Sequence, residues 1–179
     1  RETIDRRTLD ATFAVFSCAF LRERKMATAE KLARRHVHYD SLAELLDDAR
    51  RINSSDTTTV GEWSQGQIFQ HLGVTVDSSV NGFGFSAPWP MRFMLITFMK
   101  KKFLTKPLPA GFKVPAKLRK AIPADATTTD EGLKLLEDAI QQFDAADSFA
   151  PHPFLNQLTR DEWIAFHLRH AELNMSFIV

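Results

Sequence analysis

Apolar residues recur at helical spacing in several stretches of the chain, and most of these begin with a recognisable cap. Ser41-Leu42-Ala43-Glu44 reads as a capping box, Ser accepting a first-turn N–H while Glu reaches back, and Leu42, Leu45, Leu46, Ala49 and Ile52 follow on one face. After the polar loop 53–59, Ser64 and Gln67 occupy the box positions of a second helix, which carries Ile68, Phe69, Leu72, Val76 and Val80 and ends near Val80. Thr129-Asp130-Glu131 opens another through Leu133, Leu136, Ile140 and Phe143 to about Asp147. Thr159-Arg160-Asp161-Glu162 caps the last, expected to run to Val179 with a stripe of Trp163, Phe166, Leu173 and Phe177. Between these, Asn81-Gly82-Phe83-Gly84 is a turn, and Pro88-Trp89-Pro90 starts the apolar segment Met91 to Phe98. The length of that segment and its lack of alternation predict a buried helix, with Lys100, Lys101 and Lys102 suiting its C-terminal dipole. Pro107, Pro109, Pro115 and Pro123 forbid a long helix between Leu104 and Thr129 and imply an extended excursion. No stretch alternates with period two over a useful length. The expected fold is an all-α helical bundle with a long Pro-rich connection.

The N-terminus stands apart. Arg6-Arg7 precedes the apolar run Ala11 to Leu21, which superficially resembles a twin-arginine signal but leads into Arg22-Glu23-Arg24-Lys25 instead of a cleavage region. The run is also too short to span a bilayer. Met26-Ala27-Thr28-Ala29 would open a cytosolic protein, so residues 1–25 read either as an upstream extension of a 26–179 domain or as an ordinary packed helix.

Composition narrows the class. The chain has 179 residues, 44% of them hydrophobic and 25% charged, enough for one globular domain with an internal pocket. Cys18 is the only cysteine, so no intrachain disulfide forms and a reducing cytoplasm is the default location. It has no adjacent His or Lys to activate it. A net charge of +1 hides segregation: Met91 to Lys120 holds nine Lys or Arg and no acid, whereas Asp125 to Asp147 holds seven acids against Lys134. These are either solvated segments that neutralise one another or a patch for phosphate, nucleic acid or acidic lipid. Glycine-rich phosphate loops, dinucleotide fingerprints, Ser-His-Asp order and paired-cysteine zinc motifs are absent from the sequence.

The chemistry concentrates on histidines. His170 falls in the apolar stripe of the last helix, and burying an imidazole is costly unless its nitrogens find partners. The best partner is His71, at the edge of the second helix's stripe, and two histidines facing each other between helices point to a metal or catalytic site. The competing reading is a hydrogen-bonded pair without metal. Asn174 lies four residues after His170, the spacing of paired helical ligands, but a carboxamide is a weaker ligand than imidazole and can equally be an ordinary polar residue. Trp63 and Trp163 read as packing residues or substrate-stacking aromatics, Gln67 as a capping residue beside the pocket, and His152, between prolines, as a structural turn residue or an acid–base group. His167, one turn before His170, could join the pair only in a rotated helix.

The stretches Gly61-Glu62-Trp63-Ser64-Gln65-Gly66-Gln67-Ile68-Phe69-Gln70-His71-Leu72, Pro107 to Phe112, His152-Pro153-Phe154, Leu158 to Trp163 and His167 to Leu173 together resemble a DinB-like family, a branch whose function is unknown. The resemblance spans about Arg34 to the C-terminus. It implies a DinB/YfiT-type four-helix bundle in which one His of the second helix and two of the last bind a divalent metal such as zinc or nickel. These positions fall on His71, His170 and Asn174, the last departing from the pattern. Relatives in the wider superfamily are thiol-dependent transferases and isomerases, so the resemblance implies a metal-dependent thiol transferase or hydrolase-like activity on a small molecule or low-molecular-weight thiol. The alternative is a metal-free binding or interaction bundle. A homodimer is left open, no membrane partner is expected, and nucleic acid contact through 91–120 ranks below both readings.

Overall fold

A computed structural model describes residues 34–110 and 127–179, and Arg35–Val179 forms one unit. The anticipated extension 1–25, Met26, Cys18 and the prolines at 115 and 123 lie outside the described residues. Among those described, there are six helices and no strands: α1 (Leu42–Asn53), α2 (Gln65–Asn81), α3 (Trp89–Phe98), α4 (Lys100–Thr105), α5 (Thr129–Ala145) and α6 (Arg160–Met175). None is long and apolar enough to cross a membrane.

Caps set the helix starts. Ser64 accepts from Gln67 N while Gln67 Oε1 accepts from Ser64 N, and Thr128 with Glu131 and Thr159 with Glu162 do the same at α5 and α6. At α1 the return bond differs: Ser41 accepts from Glu44 N, but Glu44 reaches one residue further back, to Asp40 N.

The core lies among α1, α2, α5 and α6. It holds Leu45, Ala49 and Ile52 of α1, Ile68, Phe69, Leu72 and Val76 of α2, Leu136, Ala139, Ile140 and Phe143 of α5, and Trp163, Ala171 and Met175 of α6. α2 and α5 touch backbone to backbone. A Cβ on Gly66 would stand 2.4 Å from Thr128 O, and one on Gly132 would stand 2.2 Å from Gly66 O. Glycine at these positions removes the side chain that would otherwise hold the helices apart.

Two expectations are corrected. The last helix stops at Met175, not Val179, because Ser176 caps it and the tail pairs with the loop before α2: Val60 N donates to Phe177 O, and Thr58 and Val179 exchange backbone bonds at 2.9 Å. Its buried side is Trp163, His167, Ala171 and Met175, four apart, while Phe166, Leu173 and Phe177 are half-buried. The second correction concerns Met91 to Phe98: no residue of α3 is buried, since among the described residues no helix packs over its outer face. The three lysines after it do not cap α3 but open α4, where Lys100 Nζ lies 2.7 Å from Glu162 at the start of α6.

Residues 35–40 are clamped to α1 and α6 by charge. Arg35 and Tyr39 donate to Asp48, and although burial opposes ionisation, hydrogen bonds from Arg35, Tyr39 and Arg51 hold that carboxyl at about 2. Glu172, buried on α6, accepts from Tyr39 N at 3.1 Å and pairs with His38 at 2.8 Å and Arg169 at 2.6 Å.

Candidate functional site

α2 and α6 bring His71 and His170 together. Their Nε2 atoms are 3.0 Å apart and their rings meet edge to face. His71 is buried and His170 half-buried. Burial, followed by the neighbouring charges of His71, His167 and His152, pushes His170 well below its ordinary 6.5 and keeps it neutral. At this distance one Nε2 donates a hydrogen bond and the other accepts it.

The surroundings fix both rings. Trp63, carried by the loop that pairs with the C-terminal tail, lies with its ring 4.8 Å from that of His71, and Phe166 stacks on His170 at 5.8 Å. Behind each histidine, the residue four positions on bonds back to its carbonyl: Thr75 Oγ1 donates to His71 O at 2.8 Å and Asn174 Nδ2 to His170 O at 2.9 Å. The Asn174 amide nitrogen is thus spent on its own helix.

The remaining candidates are distributed around a second aromatic cluster. His152 Nδ1 accepts from Phe154 N and Leu155 N at 3.1 and 3.0 Å, which places its ring proton on Nε2, and burial lowers it to about 3. It serves the structural turn. His167 is 2% exposed, stacked on Trp163 and edge-on to Phe143, and is lowered to about 3 by burial and by His152. It does not join the His71–His170 pair. Neither His167 nitrogen, nor Trp163 Nε1, has a hydrogen-bond partner among the described residues. Gln67 gives its carbonyl oxygen to the cap of α2.

Residues 31–179 match the family model of a protein of unknown function, DUF1569. The chain belongs to the DUF1569 family. No curated protein and no solved structure matches it. The matched DUF1569 region contains every described candidate residue. Glu172 of this DUF1569 domain, with His38 and Arg169, was not among the sequence candidates; the i,i+3 spacing of Arg169 and Glu172 was the available signal, but a partner 134 residues away was not.

A divalent metal can be tested against these donors. A separation of 3.0 Å is an ordinary hydrogen-bond length, and two nitrogens so placed would share one ion at about 2.0–2.1 Å each only at an angle of about 91–97°, close to octahedral and narrower than tetrahedral. Neutral imidazole is the protonation state a metal requires. Among the described residues, however, no group of three or more His, Cys, Asp or Glu side chains is placed to hold an ion. The donor set fits an open two-imidazole site and does not fit a closed structural zinc site.

Proposed function

We propose that this DUF1569 protein is a DinB-like four-helix bundle whose His71–His170 pair is an open divalent-metal site, of the zinc or nickel type, that binds and activates a small nucleophile such as a low-molecular-weight thiol or water. What supports the reading is the convergence of two Nε2 atoms at 3.0 Å from different helices. When bound, the ion would lower the pKa of the coordinated thiol or water and so supply a nucleophile. The chain's own contribution is to present two imidazoles, one from α2 and one from α6, with Asn174 or solvent completing the donor set. Trp63 and Phe166 flank the rings and exclude water from one side of each. The activity would be a thiol transfer or a hydrolysis, in the cytoplasm, with a small molecule as partner.

A metal-free binding pocket is the second reading, favoured by Asn174, whose amide nitrogen back-bonds to His170 O in the way Thr75 does at His71. There the pair shares a proton and donates or accepts one hydrogen bond to a ligand.

Elemental analysis of untagged protein separates the two. The metal reading expects near-stoichiometric divalent ion, lost in His170→Ala, and tighter binding in Asn174→His, which restores the third imidazole. Wild-type protein that is empty and ignores added zinc and nickel leaves the metal-free pocket.

A further inference from the structure

Helix α3 is built inside out. Around its axis, Trp89, Phe93, Thr97, Pro90, Met94, Phe98 and Met91 form a continuous outward arc of about 200° with no charge on it. Trp89 is 75% exposed, Phe93 62% and Phe98 74%. The one charged residue, Arg92, faces the other way and donates to Ser86 Oγ and Asn156 Oδ1. A helix that keeps its cation against the protein and its Trp and Phe in water has its apolar side turned toward something outside the bundle, since patches of this kind on soluble proteins mark interaction sites.

Charge identifies what that is. From Ser78 to Ala124 the chain has no Asp or Glu, and just past the apolar arc Lys101, Lys102 and Lys106 are exposed. Lys100, held by Glu162, pins α4 so that these cations follow directly on the apolar helix. Apolar and aromatic side chains next to a lysine cluster match the two layers of an anionic bilayer surface, acyl boundary and headgroups. A second copy of the chain would oppose acid-free segment to acid-free segment. Single-stranded nucleic acid would call for aromatics interleaved with cations, not a separate apolar arc.

We propose that α3, with Lys101, Lys102 and Lys106, is a peripheral attachment face for anionic lipid, the helix lying in the interface with Trp89, Phe93 and Phe98 inserted. Such a helix need not cross the bilayer, so the fact that no described helix is long and apolar enough to cross a membrane does not bear on it. The proposal is independent of the histidine pair.

The test is co-sedimentation of the full chain with phosphatidylcholine vesicles, with and without phosphatidylglycerol, at low and high salt. Binding is expected only with phosphatidylglycerol, and salt should weaken it. Lys101→Ala/Lys102→Ala/Lys106→Ala should weaken it by about fivefold per lysine. Phe93→Ser/Phe98→Ser should abolish insertion. Circular dichroism should confirm that both variants remain folded, as expected of exposed sites. The emission of Trp89 should shift to the blue on binding, and that shift should vanish in Trp89→Phe. Absence of phosphatidylglycerol-dependent binding at low salt overturns the proposal. So does capture of single-stranded DNA without vesicle binding, or a dimer that disappears in Phe93→Ser/Phe98→Ser without vesicle binding.

Discussion

Gly132→Ala tests whether direct contact between α2 and α5 holds the bundle together. In an exposed helix this change is favourable by about 1 kcal/mol, because alanine loses less backbone freedom on folding. Here the new methyl carbon would stand 2.2 Å from Gly66 O and 3.0 Å from Gly66 C and Cα, whereas ordinary contact begins at 3.4 Å. The obstacle is backbone inside a capped helix, so no side-chain rotation relieves it. The helices must separate by about 1 Å, opening gaps along a close-packed face. Overpacking costs about 1–3 kcal/mol even where side chains can adjust, and the rigid backbone places this case at the upper end. Setting that against the propensity gain, a net loss of about 2 kcal/mol is expected. Gly66→Ala, at 2.4 Å from Thr128 O, should cost a similar amount, and Gly73→Ala, at 2.9 Å from α5 backbone, less. Urea denaturation followed by circular dichroism measures each loss, with an unchanged m-value showing that the midpoint reports stability. A Gly132→Ala protein as stable as wild type, or more so, would refute the close-contact account of this interface.

The unpartnered ring of His167 leads to the opposite sign. Replacing it with leucine removes two buried nitrogens that cost about 1–3 kcal/mol when unpaired, against a shape penalty below about 1.5 kcal/mol, so His167→Leu should raise the thermal midpoint. A loss of stability would mean that the nitrogens hold a partner such as a buried water. The pH dependence follows from His152 and His167, both held at about 3 in the fold against an ordinary 6.5. The unfolded chain therefore binds more protons below pH 6.5. Stability attributable to these rings is complete above that pH and is lost toward pH 3 at about 1.4 kcal/mol per pH unit for each histidine. Urea midpoints measured from pH 7.5 to 4.5 should fall below about pH 6.5, and the slope should lessen in His167→Leu; a flat profile would count against burial of these rings in neutral form.

Much of the fold is legible in local pattern. Ser64 with Gln67 and Thr159 with Glu162 announce helix starts because a capping box is satisfied within four residues, and the spacing of Ile68, Phe69, Leu72 and Val76 marks a core face without knowledge of what it meets. His71 and His170 do meet, at 3.0 Å, but His170 is half-buried beside the stripe, and the ring that lies inside it, His167, has no hydrogen-bond partner among the described residues. What a residue faces across the bundle is not written in its neighbours. The apolar run Met91–Phe98 reads as buried, yet whether an apolar helix is covered depends on the other helices, and among the described residues none reaches the outer face of α3. Glu172 is buried because residues 35–40 fold over it and supply His38 and the Tyr39 backbone N–H, a contact no local pattern announces. Asn174 has the spacing of a ligand, and a local bond to the turn before it takes its amide nitrogen but not its oxygen. Sequence determined where helices begin and which side is apolar, because those are short-range hydrogen bonds and periodicity. Only the tertiary structure decided which imidazoles meet, which glycines touch and which apolar face remains in water, because these depend on contacts between segments far apart in the chain.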